Sequence, residues 1–288
     1  MPNFSNLINK GKSLPIIKKF TSPAPFIPVI RLNGVIGAVS RMRSGLSLEA
    51  VAPLVEKAFS FKDAAAVALV INSPGGSPTQ SGLIFKRIRD LAEEKDKKVY
   101  AFTEDVAASG GYMLAIAADE IYAHDASIIG SIGVISGGFG FPEAMKKIGV
   151  ERRVYTAGES KSMLDPFSPE KEEDVERLKT LQAEIHEYFK SLVRDRRGDK
   201  LKEARKKLFS GDVWVGKQAV RAGLVDGVGD MRGVLRGIYG DDVKLRLIEP
   251  PKRLFFRSGG LLGQAAEALP ESTLATLEQR SHWARFGL

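Results

Sequence analysis

The sequence predicts an α/β layered fold with mostly parallel strands and flanking helices. Three observations carry that expectation. The run Ala66–Ile71 is continuously apolar and holds two valines and an isoleucine, the pattern of a strand covered on both faces. Short strand-like runs alternate with segments whose apolar residues recur every three or four positions. Two of the strand-like regions lead into glycine-rich turns, Asn72-Ser73-Pro74-Gly75-Gly76 and Ser109-Gly110-Gly111, at the kind of strand end where α/β folds place ligands.

Each element follows from its residues. Residues 1–24 are polar, basic and proline-containing and read as an arm. Phe26 to Ile36 reads as a strand with a turn at Asn33-Gly34. Leu46, Val51, Leu54, Val55 and Ala58 give helical spacing over Leu46–Phe59. After the Ala66–Ile71 strand, Leu83, Ile84, Ile88 and Leu91 mark a helix running to Glu94. Val99–Phe102 is expected as a short strand, Thr103–Ala108 as a turn, and Ser109–Ala118, small and apolar, as a buried helix. Glu120–Ala123 is the next strand, before a glycine-containing apolar stretch from Ser127 to Ile135. Phe141–Ile148 reads as helix and Arg153–Thr156 as strand. Beyond Pro169 the chain turns highly charged, and Val175, Leu178, Leu181, Ile185, Phe189 and Leu192 draw one apolar face of an amphipathic helix within Glu170–Lys207. Gly211–Asp230 reads as loop and short helix. Pro250 to Gly260 resembles a linker and Leu261–Arg285 a terminal helix, so the expected organisation is a basic arm over 1–24, one domain over 25–249 and a linker with a helical tail over 250–288.

Composition narrows the chemistry. At 288 residues and 43% hydrophobic, the chain can bury a substantial core. It has no cysteine, which excludes a disulfide framework, thiolate metal sites and a thiol nucleophile. His124, His186 and His282 are scattered without metal-binding spacing, and no cofactor is expected. The net charge of +8 favours anionic surfaces, although a solvated basic surface explains it equally well. No aromatic-basic nucleic-acid module is visible, so nucleic acid is not an expected partner. The longest apolar run, Ala64–Ile71, is eight residues, against about 20 needed to span a bilayer. The N-terminus has no signal-peptide core, so a cytoplasmic location is expected. Basic residues gather near both ends, at Lys10, Lys12, Lys18 and Lys19 and at Lys252, Arg253 and Arg257. Ile16, Ile17 and Phe20 beside Lys18 and Lys19 could form a short anchor on the inner face of a membrane; a frayed terminus is the simpler reading.

Ser109 is the first candidate for chemistry. A strand, a tight turn and a helix start would hold its hydroxyl at the carboxyl end of a sheet. Backbone N–H groups at a helix start point outward unpaired and can receive an oxyanion. Gly75-Gly76 can supply a second donor, because glycine lets a substrate approach the backbone closely. Helix capping by Ser109, with the glycines serving packing, is the competing explanation. A serine nucleophile needs a base. His124, beside Asp125, is the obvious histidine, though a surface role explains it as well. Lys161, in Thr156-Ala157-Gly158-Glu159-Ser160-Lys161-Ser162, is the lysine alternative. A lysine base must be neutral, and burial lowers a lysine pKa from about 10.4. Ser131, between Gly130 and Ile132, reads most simply as a turn residue.

Several motifs in order resemble the signal peptide peptidase A family of serine peptidases, within the ClpP/crotonase-like fold. They are Ile71-Asn72-Ser73-Pro74-Gly75-Gly76, Ala108-Ser109-Gly110-Gly111-Tyr112, Gly130-Ser131-Ile132-Gly133-Val134 and Gly223-Leu224-Val225-Asp226, and the likeness covers residues 26–247. The resemblance implies that Ser109 is the nucleophile and Lys161 the general base. It implies that Ser131 hydrogen-bonds that lysine and that the N–H groups of Gly76 and Gly110 form the oxyanion hole. The histidine of ClpP would fall near Val134, where none is found. The resemblance further implies a Ser-Lys endopeptidase without metal or nucleotide, acting on short apolar or unfolded peptides such as remnant signal peptides. It also implies a homo-oligomeric ring or dome in which neighbouring subunits complete the sites. The sequence departs from membrane-bound members in lacking an N-terminal transmembrane segment, and it is one catalytic module long. A crotonase-like acyl-CoA enzyme sharing the oxyanion pocket, or a scaffold of the same fold without catalysis, are the rival readings.

Overall fold

The computed structural model describes residues 24–37, 45–158, 161–202, 205–249 and 280–288. In chain order the elements are β1 (Phe26–Asn33), α1 (Leu48–Ser60), β2 (Val67–Ser73), α2 (Pro78–Glu94), β3 (Val99–Ala108), α3 (Gly110–Ala115), β4 (Glu120–Ala123), β5 (Ile128–Gly130), α4 (Pro142–Lys147), α5 (Glu172–Arg197), a 3-10 turn (Gly198–Lys200), α6 (Arg205–Leu208), β6 (Val213–Val215), α7 (Gly216–Ala222), β7 (Gly227–Val228), α8 (Met231–Tyr239) and β8 (Lys244–Leu247). Among the described residues the strands form one sheet, ordered β6-β5-β3-β2-β1-β8, with β4 paired to both β3 and β7. All pairings are parallel except that of β5 with β6. This is the α/β layering that the alternating pattern predicts.

The period-2 alternation of the strands separates two apolar layers. Ile30, Leu32, Leu69, Ile71, Val99 and Ala101 face one side and join a core with Val55 and Phe59 of α1, Ile84 and Ile88 of α2, Tyr112 of α3 and Phe189 of α5. Ile27, Val29, Ala68, Val70, Tyr100 and Phe102 face the other, where Leu235 of α8 covers them. Strands buried on both sides explain why Ala66–Ile71 is apolar without alternation. Helix α1 starts where the Ser47 hydroxyl accepts from the Ala50 N–H, and α2 where Ser77 accepts from Gln80.

Two sequence expectations are corrected. Thr103–Ala108 is not a turn but the second half of β3, a ten-residue strand. Its first half pairs with β4, from Tyr100↔Glu120 to Thr103↔Ala123, and its second half pairs with β5, from Val106↔Ile128 to Ala108↔Gly130. A bulge divides the halves: Ile71↔Thr103 is followed by Ser73↔Ala107, so four steps of β3 oppose two of β2. Polar Glu104 and Asp105 occupy this bulge, which is why the stretch reads as a turn in sequence. Asn72 fills the gap, donating through Nδ2 to Asp105 Oδ2 at 2.7 Å and accepting the Val106 N–H at 3.3 Å. Arg153–Thr156 forms no strand; among the described residues no strand pairs with it, and Tyr155 is 91% exposed. Nearly all of the basic arm (1–23), the linker from 250 and residues 261–279 of the expected tail helix lie outside the described residues; 280–284 are helical.

The Gly223-Leu224-Val225-Asp226 motif serves the scaffold. Leu224 and Val225 are buried, and the Leu224 carbonyl accepts the hydroxyl of fully buried Tyr112 at 2.8 Å. Arg197, buried at the end of α5, donates to the Gly223 carbonyl and pairs with Asp226 at 2.7 Å. Lys200 reaches the other Asp226 oxygen at 2.8 Å, and the Ile121 N–H of β4 donates to Asp226 as well. Burial raises the Asp226 carboxyl, but the hydrogen bonds from Arg197 and Lys200 outweigh it and hold the group below the usual aspartate range. A depressed folded-state value contributes stability above the unfolded aspartate pKa and loses it as the pH falls through the folded one. Asp226→Asn leaves the buried Arg197 cation without its counter-charge and should cost about 3 kcal/mol. Thermal unfolding at neutral pH should show the loss, and the gap to wild type should narrow as the buffer is acidified below the unfolded aspartate range.

Candidate active site

Ser109 sits at the apex between β3 and α3 with φ 53° and ψ −123°. Positive φ on a serine costs about 1–3 kcal/mol and persists only where surrounding contacts enforce it. Here the Ser109 N–H donates to the Gly130 carbonyl at 2.8 Å, and the Ser109 carbonyl accepts from Tyr112 and Met113 as α3 begins. The side chain makes no capping hydrogen bond, so capping does not explain it. Its hydroxyl is left half-buried at the head of a helix whose residues are themselves all buried.

The Gly75-Gly76 turn packs directly on this apex. Gly75 has φ 103°, and a Cβ there would lie 2.7 Å from Ser109 Cβ and 2.9 Å from the Gly110 nitrogen. Gly76 has φ 142°, and a Cβ there would strike the Ile36 carbonyl oxygen and lie 2.8 Å from the Ile36 nitrogen. Both positions demand glycine for conformation and for space. The turn is tied down on each side: Ile36 N–H donates to Gly75 O at 2.8 Å, Ser77 N–H to Ile36 O at 2.8 Å, and Gly75 N–H to buried Ser73 Oγ at 3.2 Å. Among the described residues the Gly76 N–H has no protein acceptor. Gly110, as the first residue of α3, has no intrahelical acceptor for its own N–H. A Cβ at Gly110 would lie 3.4 Å from the Gly76 nitrogen, so two free donors stand side by side next to the Ser109 hydroxyl. That is the geometry that receives an oxyanion. Gly76→Ala should push the turn off Ile36 and displace one donor, lowering kcat for peptide cleavage by about 10²–10³, with thermal stability measured alongside.

Ser131 follows Gly130, the residue paired with Ala108 in the β3–β5 ladder, so it stands beside Ser109 across the sheet. It is buried and, like Ser109, has a positive φ, 50°, and its N–H donates to Asp212 O at 2.7 Å. Only four non-glycine residues among those described have positive φ, and two of them are these serines. Arg285, in the C-terminal segment, extends Nη2 to Ser131 Oγ at 3.5 Å, so a basic group can reach this hydroxyl from solvent.

Lys161 lies elsewhere. It is exposed in a turn after Gly158, and no described contact joins it to Ser109 or Ser131 within the single chain. The chain on either side of it carries exposed apolar residues, with Val154 45%, Tyr155 91% and Phe167 37% exposed. His124 is also apart. Its Nδ1 accepts the Ala126 N–H at 3.2 Å, and it lines a cavity of about 340 Å³ with Val70, Phe102 and Met231 on the α8 side of the sheet, opposite α3. Sequence reasoning passed over Asn72, which closes the bulge, and Ser73, which braces the Gly75-Gly76 turn. Both lie inside a quoted motif, but only the fold reveals what they bind.

The model of peptidase family S49 matches residues 92–239, just over half of the chain. The chain belongs to peptidase family S49. A protease-named protein of Synechocystis sp. is 33% identical over 238 residues, covering 78% of this chain and 81% of its own. The chloroplastic serine protease SPPA of Arabidopsis thaliana is 32% identical over 247 residues, 78% of this chain and 35% of that protein. Two Brucella proteins, named Na+/H+ antiporter NhaA, are 54% identical over 284 residues, 95% of this chain. The chain spans 38% of the length of these two. Among solved structures, the 1510-N membrane-bound stomatin-specific protease in complex with a substrate peptide gives a TM-score of 0.51 at 13% identity, covering 81% of this chain and 95% of that one. That likeness extends to the fold. The chain thus falls within the signal peptide peptidase A family of serine peptidases. Among the described residues, no helix of this S49 family member is long and apolar enough to cross a membrane.

Proposed function

We propose that this peptidase works through a Ser109–Lys161 dyad in which Lys161 comes from a neighbouring copy of the chain. The observation that carries the reading is the strained Ser109 apex packed against the two free N–H donors of Gly76 and Gly110. Neutral Lys161 takes the proton of Ser109 Oγ as the oxygen attacks the scissile carbonyl. The N–H groups of Gly76 and Gly110 stabilise the tetrahedral oxyanion. The protonated lysine then gives its proton to the leaving amine, leaving an acyl-enzyme that water hydrolyses by the same path. Ser131 orients the lysine; the approach of Arg285 to its hydroxyl supports room for a basic group there. The exposure of Lys161 and the apolar residues around it favour an assembled site, and a dry interface would favour the uncharged amine.

The substrates in this reading are short apolar or unfolded peptides, remnant signal peptides among them, as the likeness to the signal peptide peptidase A family suggests. Work at a membrane surface fits the basic excess of the chain and the antiporter name of the Brucella relatives. A fluorophosphonate probe should label Ser109 in the purified protein, located by mass spectrometry of the modified peptide. Labelling that spares Ser109, or labels Ser131 in its place, would overturn the assignment.

A further inference from the structure

His186 is absorbed by no role so far. It lies on α5 in a stripe of inward-facing positions, Gln182, His186, Phe189, Val193 and Arg197, spaced by four, three, four and four residues. Phe189, Val193 and Arg197 are buried and fix the helix to the core, so the position of His186 one turn earlier is fixed with them. An amphipathic helix ordinarily places an apolar residue there. His186 is half-buried and uses its polar edge: Nε2 stands 3.1 Å from the carbonyl oxygen of Ile132. A carbonyl only accepts, so Nε2 carries the proton and donates, which fixes the ring tautomer. Among the described residues no backbone N–H reaches that carbonyl.

Ile132 directly follows Ser131, and its side chain is fully buried. The turn is therefore gripped from two directions. Asp212 O accepts the Ser131 N–H at 2.7 Å, and His186 holds the next carbonyl. Between these grips Ser131 keeps its left-handed backbone, φ 50°, which a serine does not adopt unaided.

We infer that His186 is a positioning residue for the reaction, acting through the Ile132 carbonyl to hold the Ser131 hydroxyl where the base must be met. This rests on the reading of Ser131 as the group that orients the lysine. His186→Phe keeps the ring volume and removes the donor; His186→Gln keeps a donor at similar reach. Cleavage of an unstructured apolar peptide by His186→Phe should lose about tenfold in kcat, the equivalent of one hydrogen bond, with KM unchanged. His186→Gln should recover most of the loss. Added to Ser131→Ala, His186→Phe should cost nothing further, because both act on one hydroxyl.

The outcomes separate cleanly. Full activity in Ser131→Ala overturns the reading of Ser131 and the inference with it. A slow Ser131→Ala beside a fully active His186→Phe overturns the inference alone. So does a tenfold loss that persists in the Ser131→Ala background, or a His186→Gln no better than His186→Phe. If His186→Phe does not fold, nitrogen NMR of wild-type His186 decides: an Nε2–H tautomer supports the inference, and an Nδ1–H tautomer overturns it.

Discussion

Ser109→Ala should remove peptide cleavage, with kcat falling by a factor on the order of 10⁴ or more, as for other serine nucleophiles whose loss leaves only oxyanion and binding effects. The protein should remain folded. The Ser109 side chain makes no capping bond, so its hydroxyl contributes no hydrogen bond to α3. Its backbone bonds to Gly130, Tyr112 and Met113 survive the substitution. Alanine at positive φ carries the same strain as serine. Thermal unfolding should therefore shift little while hydrolysis of casein or an apolar peptide disappears. Retained cleavage would move the nucleophile elsewhere.

Lys161→Ala should be equally inactive, and mixing is the informative step. If each site takes its serine from one copy and its lysine from another, Ser109→Ala and Lys161→Ala subunits complement after joint dissociation and reassembly. Random mixing pairs an intact serine with an intact lysine in about a quarter of sites, so about a quarter of wild-type activity should return. A mixture as dead as its components would place the lysine in the same chain. Full activity of Lys161→Ala alone would end the dyad reading. His124→Ala, on the far side of the sheet, should leave activity unchanged.

The layered fold was legible in the sequence because burial on both faces writes itself as continuous apolar runs, as in Ala66–Ile71. The helices α1, α2 and α5 were legible through the spacing of their apolar residues. The second half of β3 was hidden because its bulge exposes Glu104 and Asp105 and so imitates a turn. Arg153–Thr156 misled in the opposite way: β-type residues without a partner strand stay exposed. Within the candidate site, glycines and small residues exposed the turn carrying Ser109 and the one carrying Gly76. Ser131 was visible only by resemblance, since a serine between small residues looks like any turn until its left-handed backbone is seen. His186 left no trace, because a histidine on the inner stripe of a charged helix differs little in sequence from one on its surface.

The divided pairing of β3 has a consequence for how the molecule breathes. The half from Tyr100 to Thr103 is locked between β2 and β4 in the middle of the sheet, while the half leading to Ser109 leans on three-residue β5, itself bordered by three-residue β6. Short outer strands open locally at far lower free energy than a central one. The strand that leads to Ser109 therefore spans a central pairing and an outer one. Amide exchange should be faster from Val106 to Ala108 than from Tyr100 to Thr103.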